Sequence, residues 1–286
     1  MLRSCFRVHC VFLVFLVVVF VLPSLSFAHS IYIQSSRYEV SQGKESPLFF
    51  CFGHHFPVDG GIRADKLEYI KVHTPNKDVR DVKIRDATCL HSYMVDYDQP
   101  GTYVLTAETN PGYYTMYTDA QGRERHTIKP KNAIADQAEE ITLSLYSKQF
   151  AKTYVVCEEP SAEFPAHIGL PLELVPTQDI SKLQPGDTLE LKVHLNGQPY
   201  TGQGTWDASL NGFSTVAGDN FYPKTKVSGD MVRIPIPHPG RWYVRYYIKV
   251  DAQTPEQKEK YSQMKRTATL VFQIPNHPKR PEKKAH

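Results

Sequence analysis

Four histidines carry the chemistry this chain offers to a first reading: His29, His54, His55 and His126. His29 stands directly behind a segment built like a secretory leader. Arg3 and Arg7 precede the apolar run 11–22, and Ser26-Phe27-Ala28 supplies the small-x-small pattern at which a signal peptide is removed. Cleavage after Ala28 leaves His29 as the first residue, where its α-amine and imidazole form a chelating pair of nitrogens suited to a borderline transition metal. Chance also leaves histidines at such positions, so the leader alone does not decide the matter. His54 and His55 occupy Phe52-Gly53-His54-His55-Phe56-Pro57, where a strand ends. Adjacent strand residues face opposite sides, so at most one of the pair meets His29; the competing reading is two partly exposed strand-end histidines. His126 follows Arg123-Glu124-Arg125 in a long polar stretch, where it is either a third ligand, part of a lid, or a solvated loop residue. His73 and His91 flank strands and read as surface residues, and His167, His194 and His238 receive no ligand role. The run Tyr113-Tyr114-Thr115-Met116-Tyr117 either lines a ligand pocket or packs at a strand end, and Met116 is a soft donor suited to copper(I).

The elements that must position these residues are strands. Short runs of β-branched and aromatic residues recur between Gly, Pro, Asn and Asp, and sustained helical periodicity is missing. Strands are expected near 30–34, 47–52, 66–73, 91–97, 101–109 and 152–156. The polar stretch 117–147 reads as a long loop of the functional or mobile kind, with one helix over 135–149. In the second half, Pro185-Gly186-Asp187 opens a strict apolar/polar alternation through Val193, which predicts one buried and one wet face. Asn196-Gly197 reads as a hairpin turn, Gly240-Arg241-Trp242-Tyr243-Val244 repeats the turn-then-strand pattern of Gly101-Thr102-Tyr103-Val104-Leu105, and 267–272 closes the fold. The expected architecture is all-β: a signal peptide over 1–28, two immunoglobulin-like β-sandwich domains over 29–160 and 161–275, and a disordered tail over 276–286.

Composition narrows the function classes. With Arg3 and Arg7 removed, 31 Lys and Arg face 30 Asp and Glu, so no nucleic-acid partner is implied. The leader's apolar run, about a dozen residues, is too short for a stable membrane anchor. Cys51, Cys89 and Cys157 remain after processing, and in an oxidising compartment one disulfide and one free thiol are expected, with Cys51–Cys89 preferred. Ser-x-x-Lys, Gly-x-Ser-x-Gly, His-Glu-x-x-His and glycine-rich phosphate loops are missing, so the chain is not expected to be an enzyme.

The order of motifs resembles a known family. Ala28-His29 with Ile31-Tyr32-Ile33 as an opening strand, Gly53-His54-His55-Phe56-Pro57, Pro100-Gly101-Thr102-Tyr103-Val104-Leu105 and Asn110-Pro111-Gly112-Tyr113 are similar to bacterial exported proteins of domain-of-unknown-function family 4198. Phe150-Ala151-Lys152, Gly169-Leu170-Pro171-Leu172, Pro185-Gly186-Asp187, Asn196-Gly197-Gln198-Pro199 and Gly240-Arg241-Trp242 extend the resemblance over nearly the whole mature chain. The resemblance implies a periplasmic component of nickel or cobalt uptake that works with a membrane metal transporter of the energy-coupling-factor or ABC type. It transfers a metal role to His29 and to His54, with His55 as the alternative, whereas His126 belongs to an insertion over 119–138 and its role does not transfer. Two other readings compete: a copper protein with a histidine-brace site, and a carbohydrate-binding or adhesion module in which the histidines are incidental.

Overall fold

The computed structural model describes residues 29–276, so the expected leader and nearly all of the expected tail lie outside the described residues. Among the described residues the chain forms twenty strands and one short α-helix, Pro255–Lys260, and the fold is all-β with sandwich-like sheets.

The burial of three strands explains the layering. Gly101–Thr109 is buried at every position, Glu140–Cys157 is buried continuously from Phe150, and Gln263–Ile274 is buried at every position but Gln273 from Thr267 onward. Successive side chains of a strand point to opposite faces, so unbroken burial means that both faces are covered. Val104, Phe150, Tyr154, Leu270 and Phe272 join one apolar core, while Tyr103, Leu105, Ala151 and Val155 join another. These strands lie side by side in one large sheet that runs Gln203–Leu210, Gly240–Asp251, Gln263–Ile274, Glu140–Cys157, Gly101–Thr109 and Leu67–His73. A three-stranded sheet of Ser30–Ser35, Lys44–Gly53 and Ser92–Tyr97 covers one face. A four-stranded sheet built on Leu172–Pro176, Thr188–Leu195 and Met231–Pro235 covers the other. Two sandwich-like cores therefore share one wall, and that wall is continuous because Glu140–Cys157 pairs in parallel with Gln263–Ile274 over Leu145–Thr153.

Two expectations need correction. No helix covers 135–149: a single 3-10 turn, Lys131–Ile134, precedes the strand Glu140–Cys157. The apolar residues Ile141, Leu143 and Leu145 recur every second position, which is the period of a strand. The stretch 117–147 is likewise not an open loop. Gly112–Thr118 and Glu124–Thr127 form a hairpin, and its first strand pairs with Glu140–Ser147.

The expected disulfide is also not formed, and all three cysteines are free. Cys51 is sealed among Tyr32, Tyr243 and Val271, where its thiol donates to the His55 carbonyl and burial pushes its pKa up to about 12. Cys157 lies in the core under the three-stranded sheet, and Cys89 is half-buried in the Ile62–Arg63/Thr88–Cys89 ribbon. Thiol titration of denatured protein comprising residues 29–286 is expected to find three free thiols; two or more missing thiols would contradict this arrangement.

Candidate functional site

The opening strand Ser30–Ser35 is buried at all six positions and takes backbone partners from Lys44–Gly53 alone. Its register starts with Ser30 opposite Gly53. His29 precedes that end rung and His54 follows it, so the ladder itself brings the two histidines together across the strand ends. Their ring centroids are 4.7 Å apart, and the His29 ring also meets Phe52 edge-on at 5.2 Å.

The other edge of the opening strand is satisfied by side chains of the shared wall. Gln149 Nε2 donates to the His29 carbonyl at 2.9 Å, and its Oε1 accepts from the Ile31 N–H at 3.0 Å. Thr269 Oγ1 donates to the Ile31 carbonyl at 2.7 Å, and Arg245 Nη1 donates to Ser30 Oγ at 3.0 Å. Arg245 is held in turn by the fully buried Asp207 at 2.6 Å. An unpaired strand edge normally exposes its N–H and C=O groups. Here the amide of Gln149 imitates a neighbouring strand and pins the backbone on both sides of Ser30.

A tight bend positions His54. Gly53 has φ +149°, and a Cβ built there would lie 2.1 Å from Asp59 Oδ2, so only glycine fits against that carboxylate. Asp59 Oδ2 accepts the N–H of His54 at 2.5 Å and of His55 at 2.9 Å, and contacts His55 Nδ1 at 3.2 Å. Desolvation would raise the Asp59 carboxyl, but these hydrogen bonds and the His55 imidazole hold it below its ordinary value. Phe56 packs on Tyr32 and Tyr243, fastening the far side of the bend. His54 is thus the histidine beside His29, and His55 is turned toward Asp59.

His126 sits on the Gly112–Thr118/Glu124–Thr127 hairpin, opposite Met116. Its ring stacks on Tyr114 with centroids 5.9 Å apart. Tyr114, Met116, Glu124, His126 and Ile128 alternate along the hairpin and line a cavity of about 670 Å³ whose lining also includes His29. His29 and His126 therefore share a cavity, yet among the described residues no group of three or more His, Cys, Asp or Glu side chains converges to hold a metal ion. The four sequence-assigned histidines do not form a single ligand cluster.

The hairpin is secured by Asp119. Its Oδ1 accepts the N–H of Gln121 and of Arg123, each at 3.0 Å, and its Oδ2 takes Arg123 Nε at 2.9 Å and Arg125 Nε at 3.1 Å. Desolvation alone would raise this carboxyl, but the backbone N–H of Arg123 and the two guanidinium groups bring it down to about 2. Tyr113 both lines the cavity and packs, meeting Tyr146 at 5.1 Å and Tyr261 at 6.4 Å.

Sequence reading missed Gln149, Asp59 and Lys66, the last of which lines the same cavity as His29. Asp59 had a local signal, because an aspartate a few residues beyond a chain reversal commonly accepts backbone N–H groups. Gln149 had none, since its partners are 118 and 120 residues away. A second histidine pair also went unassigned: His167 and His194 lie 5.0 Å apart by ring centroid, with His167 Nε2 3.4 Å from Glu173. That carboxylate is already engaged by Lys152 at 2.6 Å and by the N–H groups of Ile168, Gly169 and Leu170.

The family described as Domain of unknown function (DUF4198) matches residues 26–250. The chain belongs to this family. No curated protein matches it. Among solved structures, a Salmonella alpha-2-macroglobulin mutant is 13% identical at a TM-score of 0.26, with 85% of this chain covering 15% of that one. Elastase-activated alpha-2-macroglobulin of Escherichia coli is 12% identical at 0.21, with 86% of this chain covering 20% of that one. Murine CEACAM1b is 10% identical at 0.19, with 86% and 99% covered. The chain thus spans less than a quarter of the two alpha-2-macroglobulins, and scores this low carry no argument about function.

Two outcomes follow for this DUF4198 chain. Gln149→Ala removes both bonds to the opening strand, is expected to cost ~1–3 kcal/mol in chemical denaturation, and should free the His29 ring in NMR spectra. The Asp119 bonds stabilise the hairpin above the ordinary carboxylate value of 3.8 and are lost as pH falls through about 2. The backbone amide resonances of residues 117–125 should accordingly keep their native dispersion down to pH 4, and dispersion lost by pH 5 would refute that role for Asp119.

Proposed function

We propose that the chain is an exported, non-enzymatic carrier of a divalent transition metal, nickel or cobalt, which it binds at its processed terminus and passes to a membrane metal transporter. The observation that carries this reading is the pairing of His29 with His54 across the end rung of the first ladder, at 4.7 Å between ring centroids. Removal of the leader at Ala28 would add the α-amine of His29, giving three nitrogen donors on a terminus fixed from behind by Gln149. Three nitrogens of this kind suit Ni(II), Co(II) and Cu(II). Copper leads the intrinsic affinity order, so selectivity for nickel or cobalt would come from geometry or supply.

The residues fit such an ion in kind. Imidazole and amine nitrogens are borderline donors; one of the three belongs to the backbone, and the other two are imidazoles on residues that flank the end rung of the ladder. His55, turned toward Asp59, and His126, across the cavity, fall outside this set. Among the described residues no helix is long and apolar enough to cross a membrane.

The test compares protein beginning at His29 with the same protein acetylated at its α-amine, by calorimetric titration of Ni(II), Co(II) and Cu(II). Acetylation turns the amine into an amide, adds no new amine and leaves both imidazoles in place. Affinity is expected to drop at least about tenfold, with a comparable drop for His54→Ala and none for His238→Ala. It should also fall as pH is lowered, because protons compete for the same nitrogens. Equal affinities for the two termini would refute the site.

A further inference from the structure

The cavity beside His29 has features that a bare cation does not require. We propose that it seats a small multidentate carboxylate chelator, so that the species this protein binds is a metal chelate held jointly by the terminus and the cavity. The inference rests on the metal reading above and specifies its substrate.

Coordination gives the first reason. The terminus provides at most three nitrogens, and among the described residues no further His, Cys, Asp or Glu side chains gather to complete a ligand set. Nickel and copper in tetragonal N,O sites take at least four donors, so one or more must come from outside the protein. Oxygen donors of a chelator meet that need.

Space is the second. The cavity has a volume of about 670 Å³ and includes the His29 side chain in its wall, within the range of pockets that hold small organic ligands. A hydrated ion alone would leave most of it unused.

Charge is the third. A pocket attracting free divalent cations should be acidic, yet this one has Lys66 and Arg125 against the single carboxylate of Glu124. Arg125 is shared with Asp119 at 3.1 Å. Lys66 makes no ion pair among the described residues, and its ammonium lies beside Gly112, 3.7 Å from where a Cβ would stand. A carboxylate not engaged by the metal would complete its charge. The stacked Tyr114 and His126 rings, with Phe52 and Ile128, present a flat and partly apolar surface to the carbon skeleton of the same ligand.

The experiment uses the protein beginning at His29, with Ni(II) alone and with Ni(II) plus equimolar radiolabelled citrate as probes. Calorimetry and retention of label through a desalting column are both read. Citrate is expected to be retained in a 1:1:1 complex only when Ni(II) is present. Lys66→Gln should lose citrate retention about tenfold while binding Ni(II) alone as the unaltered protein does, and Lys66→Glu should lose more, with thermal melts verifying that both variants are folded. If Ni(II) alone binds but citrate strips it and is not retained, or if Lys66→Gln retains citrate unchanged, the chelate inference is overturned and the metal site stands. If Ni(II) binds in neither form, both fall together.

Discussion

The parallel pairing of Glu140–Cys157 with Gln263–Ile274 is the constraint on which the rest of the structure depends. It joins strands from the two halves of the chain into one wall, and each half then buries an apolar sheet against its own face of that wall. The wall's central strands consequently have no wet side. Polar groups within it are driven to pair internally, because a buried unpaired donor or acceptor costs as much as several favourable contacts give, although Asp207 Oδ1 and the Tyr246 hydroxyl have no hydrogen-bond partner. Thr153 donates to the Val271 carbonyl and Thr269 to the Ile31 carbonyl, and Lys152 is neutralised by Glu173 at 2.6 Å.

The same requirement builds the candidate site. Placing the opening strand against a doubly buried wall leaves its outer edge without a backbone partner, and the wall answers with Gln149, Thr269 and Arg245. A strand fixed in this way has a fixed beginning. His29 is held in the lining of the cavity by interactions whose first purpose is to satisfy a buried edge. The Asp207–Arg245 ion pair behind it is costly to bury and costlier to break, about 3–5 kcal/mol for loss of one partner, so the start of the opening strand is tied through Ser30 to the second half.

Two local devices refine the geometry. At the Gly53 bend the Asp59 carboxylate takes the space of a side chain and collects the N–H groups of both histidines, which turns His55 toward it. On the hairpin, Asp119 with Arg123 and Arg125 stiffens a segment whose composition alone reads as loop. In each case a carboxylate accepting several backbone N–H groups replaces what a longer element would otherwise supply.

The sequence by itself determined many of the strands and that His29 heads the first of them while His54 and His55 follow the end of the next. Period-two apolar patterning and Pro-Gly turn chemistry depend on neighbours within a few residues, which is why the runs near 30–34, 47–52 and 101–109 emerged as strands. Likewise, two residues flanking a strand end can be named before the partner strand is known. The helix expected over 135–149 failed because polar composition outweighed the alternation of Ile141, Leu143 and Leu145, whose strand partner Gly112–Thr118 is distant enough in sequence to be invisible to local reading. Only the tertiary structure decided that His54 rather than His55 faces His29, that three cysteines lie in three separate environments, and that Gln149, Lys66 and His126 border one cavity with His29. Those outcomes depend on register and on which face of the wall each strand presents, and both are set by long-range burial.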